Sequence, residues 1–135
     1  MLINVTLRKS EWLYLNDGAY GSLFDAAHVD FPYPVRAVRG DRLINQEYDT
    51  EFAFYGPTCD SIDAIARRYQ LPASMRTGDF IEFGQLGAYG DTMRTRFNGF
   101  GERDEIICTD EPMLSMFTRE QHQLADAASS NIDRE

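Results

Sequence analysis

Lysine is almost missing from this sequence: of 13 basic residues, Lys9 alone is not an arginine. A phosphate loop built on a glycine-flanked lysine is therefore excluded. The nearest pattern, Gly84-x-x-Gly87-x-x-Gly90, has neither that lysine nor the strand–helix setting, and reads as a turn with Tyr89 as an aromatic anchor. Cysteine and histidine are scarce too. Cys59 and Cys108 form no Cys-x-x-Cys pair, and His28 and His122 make no ligand cluster, so a metal site is not expected. Basic patches are also lacking. With 22 acidic residues and a formal net charge of -9, the chain opposes a nucleic-acid backbone. An acidic surface suits cationic small molecules, and equally serves solubility. No apolar run is long enough to span a bilayer, and Met1–Leu7 lacks the layout of a signal peptide, which makes the cytoplasm the expected location.

What is present is a chain of 135 residues, 43% hydrophobic and 13% aromatic, enough for one domain with a real core. Ile3, Val5 and Leu7 alternate with polar residues and predict a strand that starts at once, as in a domain cut from something longer. Trp12–Leu15 predicts a second strand, broken by Asn16-Asp17-Gly18. Pro34–Arg39 alternates again, with a bulge suggested near Val38, and Gly40–Asp49 reads as a polar connection. Phe80–Phe83 is a buried-type strand. Met93–Phe97 predicts another, followed by Asn98-Gly99 as a hairpin turn, and Glu105–Thr109 predicts the last. Residues 121–135 form a polar tail expected to fray, after one domain spanning 1–120. Many short strands with one short helix indicate a mostly-β barrel or sandwich.

The centre of the chain is Tyr55-Gly56-Pro57-Thr58-Cys59-Asp60-Ser61. The alternating run Glu51–Tyr55 predicts a strand ended by Gly56-Pro57. Ile62, Ile65, Ala66 and Tyr69 fall at i, i+3, i+4 and i+7, which predicts a helix closed by Leu71-Pro72. A thiol and a carboxylate thus meet at a strand-to-helix junction. The plain structural reading is that Asp60 or Ser61 is the helix N-cap, Asp63 complements its dipole, and Cys59 is a small buried residue. The functional reading is a site carried on a rigid frame, with a thiol activated by the helix terminus.

Four blocks decide for the functional reading. They are Tyr14-Leu15-Asn16-Asp17-Gly18-Ala19-Tyr20-Gly21-Ser22, Gly56-Pro57-Thr58-Cys59-Asp60-Ser61-Ile62-Asp63, Gly84-Gln85-Leu86-Gly87-Ala88-Tyr89-Gly90 and Phe97-Asn98-Gly99-Phe100. In order and spacing, from about Leu13 to Phe100, they resemble the C-terminal β-domain of the ornithine/lysine decarboxylase family. These are fold-type III pyridoxal-phosphate enzymes related in fold to alanine racemase. The resemblance implies a Greek-key-like β-domain that covers the mouth of an α/β barrel and builds a homodimer. The barrel, with the cofactor lysine and the phosphate-binding glycines, has no counterpart in these residues, and Lys9 lies outside any such context. Pyridoxal 5'-phosphate is therefore implied only together with a barrel, and the chain alone is expected to be inactive.

Roles carry over motif by motif. Cys59 matches a cysteine that reaches the active site of the other subunit and is implicated in returning a proton after loss of carbon dioxide. Asp60 matches the acid that binds the distal ammonium of ornithine or lysine. Tyr89 matches a tyrosine beside the cofactor phosphate. Tyr20 and Phe97 match residues at the dimer interface. Asp25 resembles a second acid near the distal amine, on a segment shorter than in animal-type enzymes, with a surface-turn aspartate as the alternative. An aspartate after the cysteine favours a basic diamino acid, whereas the similar diaminopimelate enzymes carry glutamate there; arginine-type relatives stay open. Two function classes follow. One is the β-domain of a decarboxylase that makes putrescine or cadaverine. The other is a non-catalytic domain that pairs with a full-length decarboxylase and regulates it.

Overall fold

The computed structural model describes residues 1–30 and 32–109. The polar tail at 121–135 and the domain end at 120 lie outside them. The chain is mostly β, as its alternating apolar runs require. Seven strands, β1 (Leu2–Lys9), β2 (Trp12–Leu15), β3 (Val35–Arg39), β4 (Arg42–Leu43), β5 (Thr50–Tyr55), β6 (Ala64–Leu71) and β7 (Phe80–Phe83), form one mixed sheet. Its order is β4-β3-β7-β1-β2-β5-β6. Two short helices, α1 (Phe24–His28) and α2 (Tyr89–Thr92), and a 3-10 turn at Phe97–Gly99 complete the described elements.

All neighbouring strands are antiparallel except β2 and β5, which run parallel with Trp12 opposite Ala53 and Tyr14 opposite Tyr55. β1 serves both halves of the sheet: Leu2–Asn4 pair with β7, and Val5–Lys9 pair with β2 across a register shift between Val5 and Leu7. Such a shift bends a strand and increases its twist. The sheet does not close among the described residues, but it curls far enough for distant strands to share one core. Phe83 of β7 meets Phe54 of β5 edge-on at 5.8 Å and Tyr69 of β6 at 5.9 Å, although β1 and β2 lie between them in the sheet. Ile3, Val5, Leu13, Leu15, Phe52, Ile65, Leu71 and Ile81 fill the same interior.

Several sequence expectations are corrected. The helix predicted across Ile62–Tyr69 is strand β6, paired antiparallel to β5. Met93–Phe97 is not a strand; it is an irregular connection from the end of α2 to the 3-10 turn that opens at Phe97. Asn98 and Gly99 do take the left-handed conformation of a hairpin turn (φ 54° and 80°), yet they end the 3-10 turn and join no strands. Glu105–Thr109 has no regular structure. β3 keeps an unbroken register with β7, so the bulge expected near Val38 is absent.

An ion pair fastens the end of β3 to the turn that leads into its neighbour β7. Arg39 forms a fork on Asp79, 2.8 Å at each oxygen, and Asp79 also accepts the Arg76 N–H at 2.9 Å. Burial pushes the Asp79 carboxyl up, but these donors and the charges of Arg39 and Arg76 outweigh it and hold the carboxyl below its ordinary value. A depressed folded-state value stabilises the fold above the ordinary aspartate range, and that contribution is lost as pH falls through the folded value. Acid titration of unfolding should show this loss below about pH 4. Asp79→Asn should flatten it while lowering stability at neutral pH by about 1–3 kcal/mol, checked by urea melts across pH.

Candidate functional site

Because β2 and β5 run parallel, their carboxyl ends lie side by side, and the loops that follow them meet. The first is Asn16–Ser22. The second, Gly56–Asp63, links β5 to its antiparallel partner β6. Cys59 and Asp60 therefore stand in a hairpin loop, and no helix follows for Asp60 to cap. Instead Asp60 Oδ1 accepts the Ile62 N–H at 3.1 Å, and the Asp63 N–H donates to the Asp60 carbonyl at 3.0 Å. Cys59 is exposed and has φ 61°, a backbone state unusual for a residue with a side chain.

The loops are joined by a buried carboxylate. Asp63 is 1% exposed; its Oδ1 accepts the Ala19 N–H at 2.8 Å, and its Oδ2 accepts the Thr58 N–H at 3.0 Å and the Thr58 hydroxyl at 2.7 Å. The glycines beside it make room: a Cβ at Gly18 or Gly56 would run into this carboxylate. The expected helix-dipole role of Asp63 is thus replaced by a tie between two loops.

Across that tie, Tyr20 reaches Asp60. The Tyr20 hydroxyl donates to Asp60 Oδ2 at 2.9 Å, and its ring stacks on Phe97 at 4.4 Å. The Ile62 N–H and then the Tyr20 hydroxyl hold the Asp60 carboxyl below the ordinary aspartate value, against a smaller opposing effect of burial. The Tyr20 hydroxyl is pushed up by burial first, then by its bond to Asp60. Asp60 is thus an ionised acceptor at neutral pH, fixed at both oxygens and half-buried. Such a group suits an ammonium, because charge-assisted bonds to a carboxylate are stronger than neutral ones.

Of the residues singled out in the sequence, Asp60, Tyr20 and Phe97 form one contact group, with Cys59 adjacent. Asp25 and Tyr89 stand apart from it. Asp25 lies on α1 and accepts the Tyr33 hydroxyl at 3.3 Å; Tyr89 opens α2 and is 68% exposed, and α1 packs beside α2. Arg94 and Thr95 escaped the sequence reading, Asp17 was read only as part of a turn, and Asp63 only as a partner of a helix dipole. Their signal was the glycines beside the acids, at Gly18, Gly21 and Gly56, which leave space for a carboxylate.

Residues 1–87 match the family described as pyridoxal-dependent decarboxylase, C-terminal sheet domain. The chain belongs to this family. Its relatives include ornithine decarboxylase of Mus pahari, 36% identical over 112 residues, with 80% of this chain and 23% of the relative covered. Antizyme inhibitor 2 of Xenopus laevis is 39% identical over 92 residues, covering 68% of this chain and 20% of that protein. Among solved structures, lysine/ornithine decarboxylase from Vibrio vulnificus complexed with cadaverine superposes with a TM-score of 0.63 at 30% identity, covering 81% of this chain and 29% of that one. The arginine decarboxylase of Paramecium bursaria Chlorella virus bound to agmatine gives 0.61 at 28% identity, covering 75% and 28%. The chain thus spans about a quarter of the length of these relatives.

A pyridoxal group needs a lysine amine. Lys9 is exposed and pairs with Trp12 at the turn between β1 and β2, the end of the hairpin opposite the Asn16–Ser22 loop. Val5, four residues away along β1, pairs with Leu15, so Lys9 stands roughly 13 Å from the start of that loop at about 3.3 Å per residue. The single lysine therefore stands away from Asp60 and Cys59, and those two residues offer a carboxylate and a thiol rather than the amine such a group requires. Among the described residues, no group of three His, Cys, Asp or Glu could hold a metal ion, and no helix is long and apolar enough to cross a membrane.

Asp63→Ala should leave the Ala19 and Thr58 donors unpaired in the interior and cost about 1–3 kcal/mol for each donor left unpaired. Chemical unfolding would measure the loss. Gly56→Ala should also be destabilising, and should be relieved in part when combined with Asp63→Ala, because the second change removes the carboxylate that the new methyl meets.

Proposed function

We propose that this chain is the substrate-facing β-domain of a pyridoxal-phosphate ornithine/lysine-type decarboxylase, working with an α/β barrel in a homodimer to make putrescine or cadaverine. The observation that carries the reading is the Asp60 carboxylate, held ionised by the Ile62 N–H and the Tyr20 hydroxyl next to an exposed Cys59. Asp60 binds the distal ammonium, with Asp25 as a second acid toward the same amine. Cys59 returns a proton to the carbon that loses carbon dioxide, and its exposed position in the hairpin loop leaves it free to serve the other subunit. Tyr89 faces the cofactor, and Tyr20 and Phe97 line the dimer contact. The cofactor, when bound, supplies the electron sink for decarboxylation. Its lysine comes from the barrel, so the chain alone is inactive and works in the cytoplasm with its partner.

Both ornithine and lysine are candidate substrates, since one methylene is worth only about 1–3 kcal/mol in such a pocket. The likeness to an antizyme inhibitor supports a second reading, a non-catalytic domain that regulates a full-length decarboxylase. Joining the chain to a family barrel separates the two: activity on a diamino acid supports the first, and altered activity of an intact decarboxylase on mixing, without turnover by the joined chain, supports the second.

In the joined enzyme, Asp60→Ala should lower kcat/KM for ornithine or lysine by about 2–5 kcal/mol of transition-state stabilisation, mainly through KM. Unchanged efficiency would leave Asp60 as a turn-forming residue only.

The shared site is tested by mixing two inactive variants, one lacking the barrel lysine and one carrying Cys59→Ala. Random pairing makes half the dimers mixed, each with one whole site, so about a quarter of wild-type activity should return. Activity no higher than the mean of the two variants, with subunit exchange shown by a tag, would place Cys59 in its own chain's site.

A further inference from the structure

We infer that Arg94 is a positioning residue for the Asp60 carboxylate, acting through the Asp17–Ser22 loop and Tyr20. The inference rests on reading Asp60 as the ammonium-binding acid. Arg94 is nearly buried, 9% exposed at the side chain against 15% for Asp17. Its Nη1 donates to Asp17 Oδ2 at 3.0 Å and to the Ser22 hydroxyl, and its Nη2 donates to the Gly101 carbonyl at 2.7 Å. The other oxygen of Asp17 accepts the Gly18 N–H at 2.8 Å and the Ser22 N–H at 3.2 Å. One guanidinium therefore grips the loop at both ends, and Gly21 permits it, since a Cβ there would meet Asp17.

The residues after Arg94 complete the hold. The Thr95 N–H and hydroxyl donate to the Tyr20 carbonyl at 2.8 and 2.9 Å. Phe97 stacks on the Tyr20 ring, and Asn98 Nδ2 donates to the Thr58 carbonyl at 2.8 Å. Residues 94–98 thus fasten the Tyr20 loop to the Cys59–Asp60 loop, which aims the Tyr20 hydroxyl at Asp60. The acids acting on Tyr20 are Asp60 and Asp63. Asp17 is engaged by Arg94, and Cys59 adjoins Asp60. Arg94 is not among the groups that shift Asp60, so its effect is one of position rather than of direct charge. Lysine, a point donor without the planar fork, would reproduce only part of the grip.

The test uses the full 135-residue chain with carbon-13 labels on aspartate carboxyls and tyrosine rings. In Arg94→Ala, the Asp60 titration midpoint should rise toward the ordinary aspartate value and the Tyr20 midpoint should fall toward the ordinary tyrosine value, with Arg94→Lys between. Arg67→Ala, which breaks an exposed pair with Asp30, should leave both midpoints in place. Unchanged midpoints in a folded Arg94→Ala chain would overturn the assignment. If that variant does not fold, Asp17→Asn decides by the same readout, since it keeps an amide oxygen for the loop N–H groups and removes the ion pair. Loss of a cooperative melt in both would make the pair a support of the whole domain and also overturn the assignment. The titration needs neither barrel nor cofactor, so its outcome is separate from the decarboxylase reading. In the joined enzyme, Arg94→Ala should raise KM for the diamino acid more than it lowers kcat.

Discussion

A carboxylate buried with three donors around it governs this domain. Asp63 binds the backbone of Ala19 and Thr58 at once, so two loops far apart in sequence share one acceptor. Buried polar groups demand partners, and a carboxylate demands more than a neutral group does. That demand makes the loop pairing specific: sliding either loop would leave charge and donors unmatched. The glycines at 18 and 56 are the steric counterpart of the same constraint.

From that tie, the site acquires its chemistry by proximity. Tyr20 comes within reach of Asp60 because Ala19, its neighbour, is bonded to Asp63. Cys59 is held out toward solvent by a loop whose ends are locked on one side by the β5–β6 pairing and on the other by Asp63. The domain therefore presents a preformed acid and an exposed thiol, both on backbone that has little freedom to move. Under the proposed function, such an arrangement would meet a substrate held by the barrel. The lone lysine, at the far turn of the β1–β2 hairpin, takes no part in it.

Strands β1, β2, β3, β5 and β7 were legible from alternation and from their glycine and proline boundaries. β6 was not. Ile65 and Tyr69, four apart, satisfy both a helical and an extended period, and Ile62 with Ala66 completed the helical pattern. In the fold both of those residues are exposed, while Asp63, Ile65, Tyr69 and Leu71 face inward. The odd-numbered row was disguised by Asp63 and Arg67, one a buried tie and the other turned to Asp30. β4 was too short to leave a pattern, and Met93–Phe97 reads as a strand although Arg94 and Thr95 in the fold use their side chains for hydrogen bonds to the Asp17–Ser22 loop rather than for a face. The site was legible as motifs, while the bonds that join its loops span 40 or more residues and leave only the neighbouring glycines as a local trace.

The parallel pairing of β2 with β5 has a consequence for the order in which the domain assembles. Antiparallel hairpins such as β1–β2 and β5–β6 close over short loops, whereas β2 meets β5 only after α1, β3 and β4 have been gathered between them. Closing a long loop costs more chain entropy, and nonlocal contacts form slowly. The acid and the tyrosine ride on different hairpins. Their encounter therefore carries the closure cost of that long connection, which the pairing within either hairpin does not.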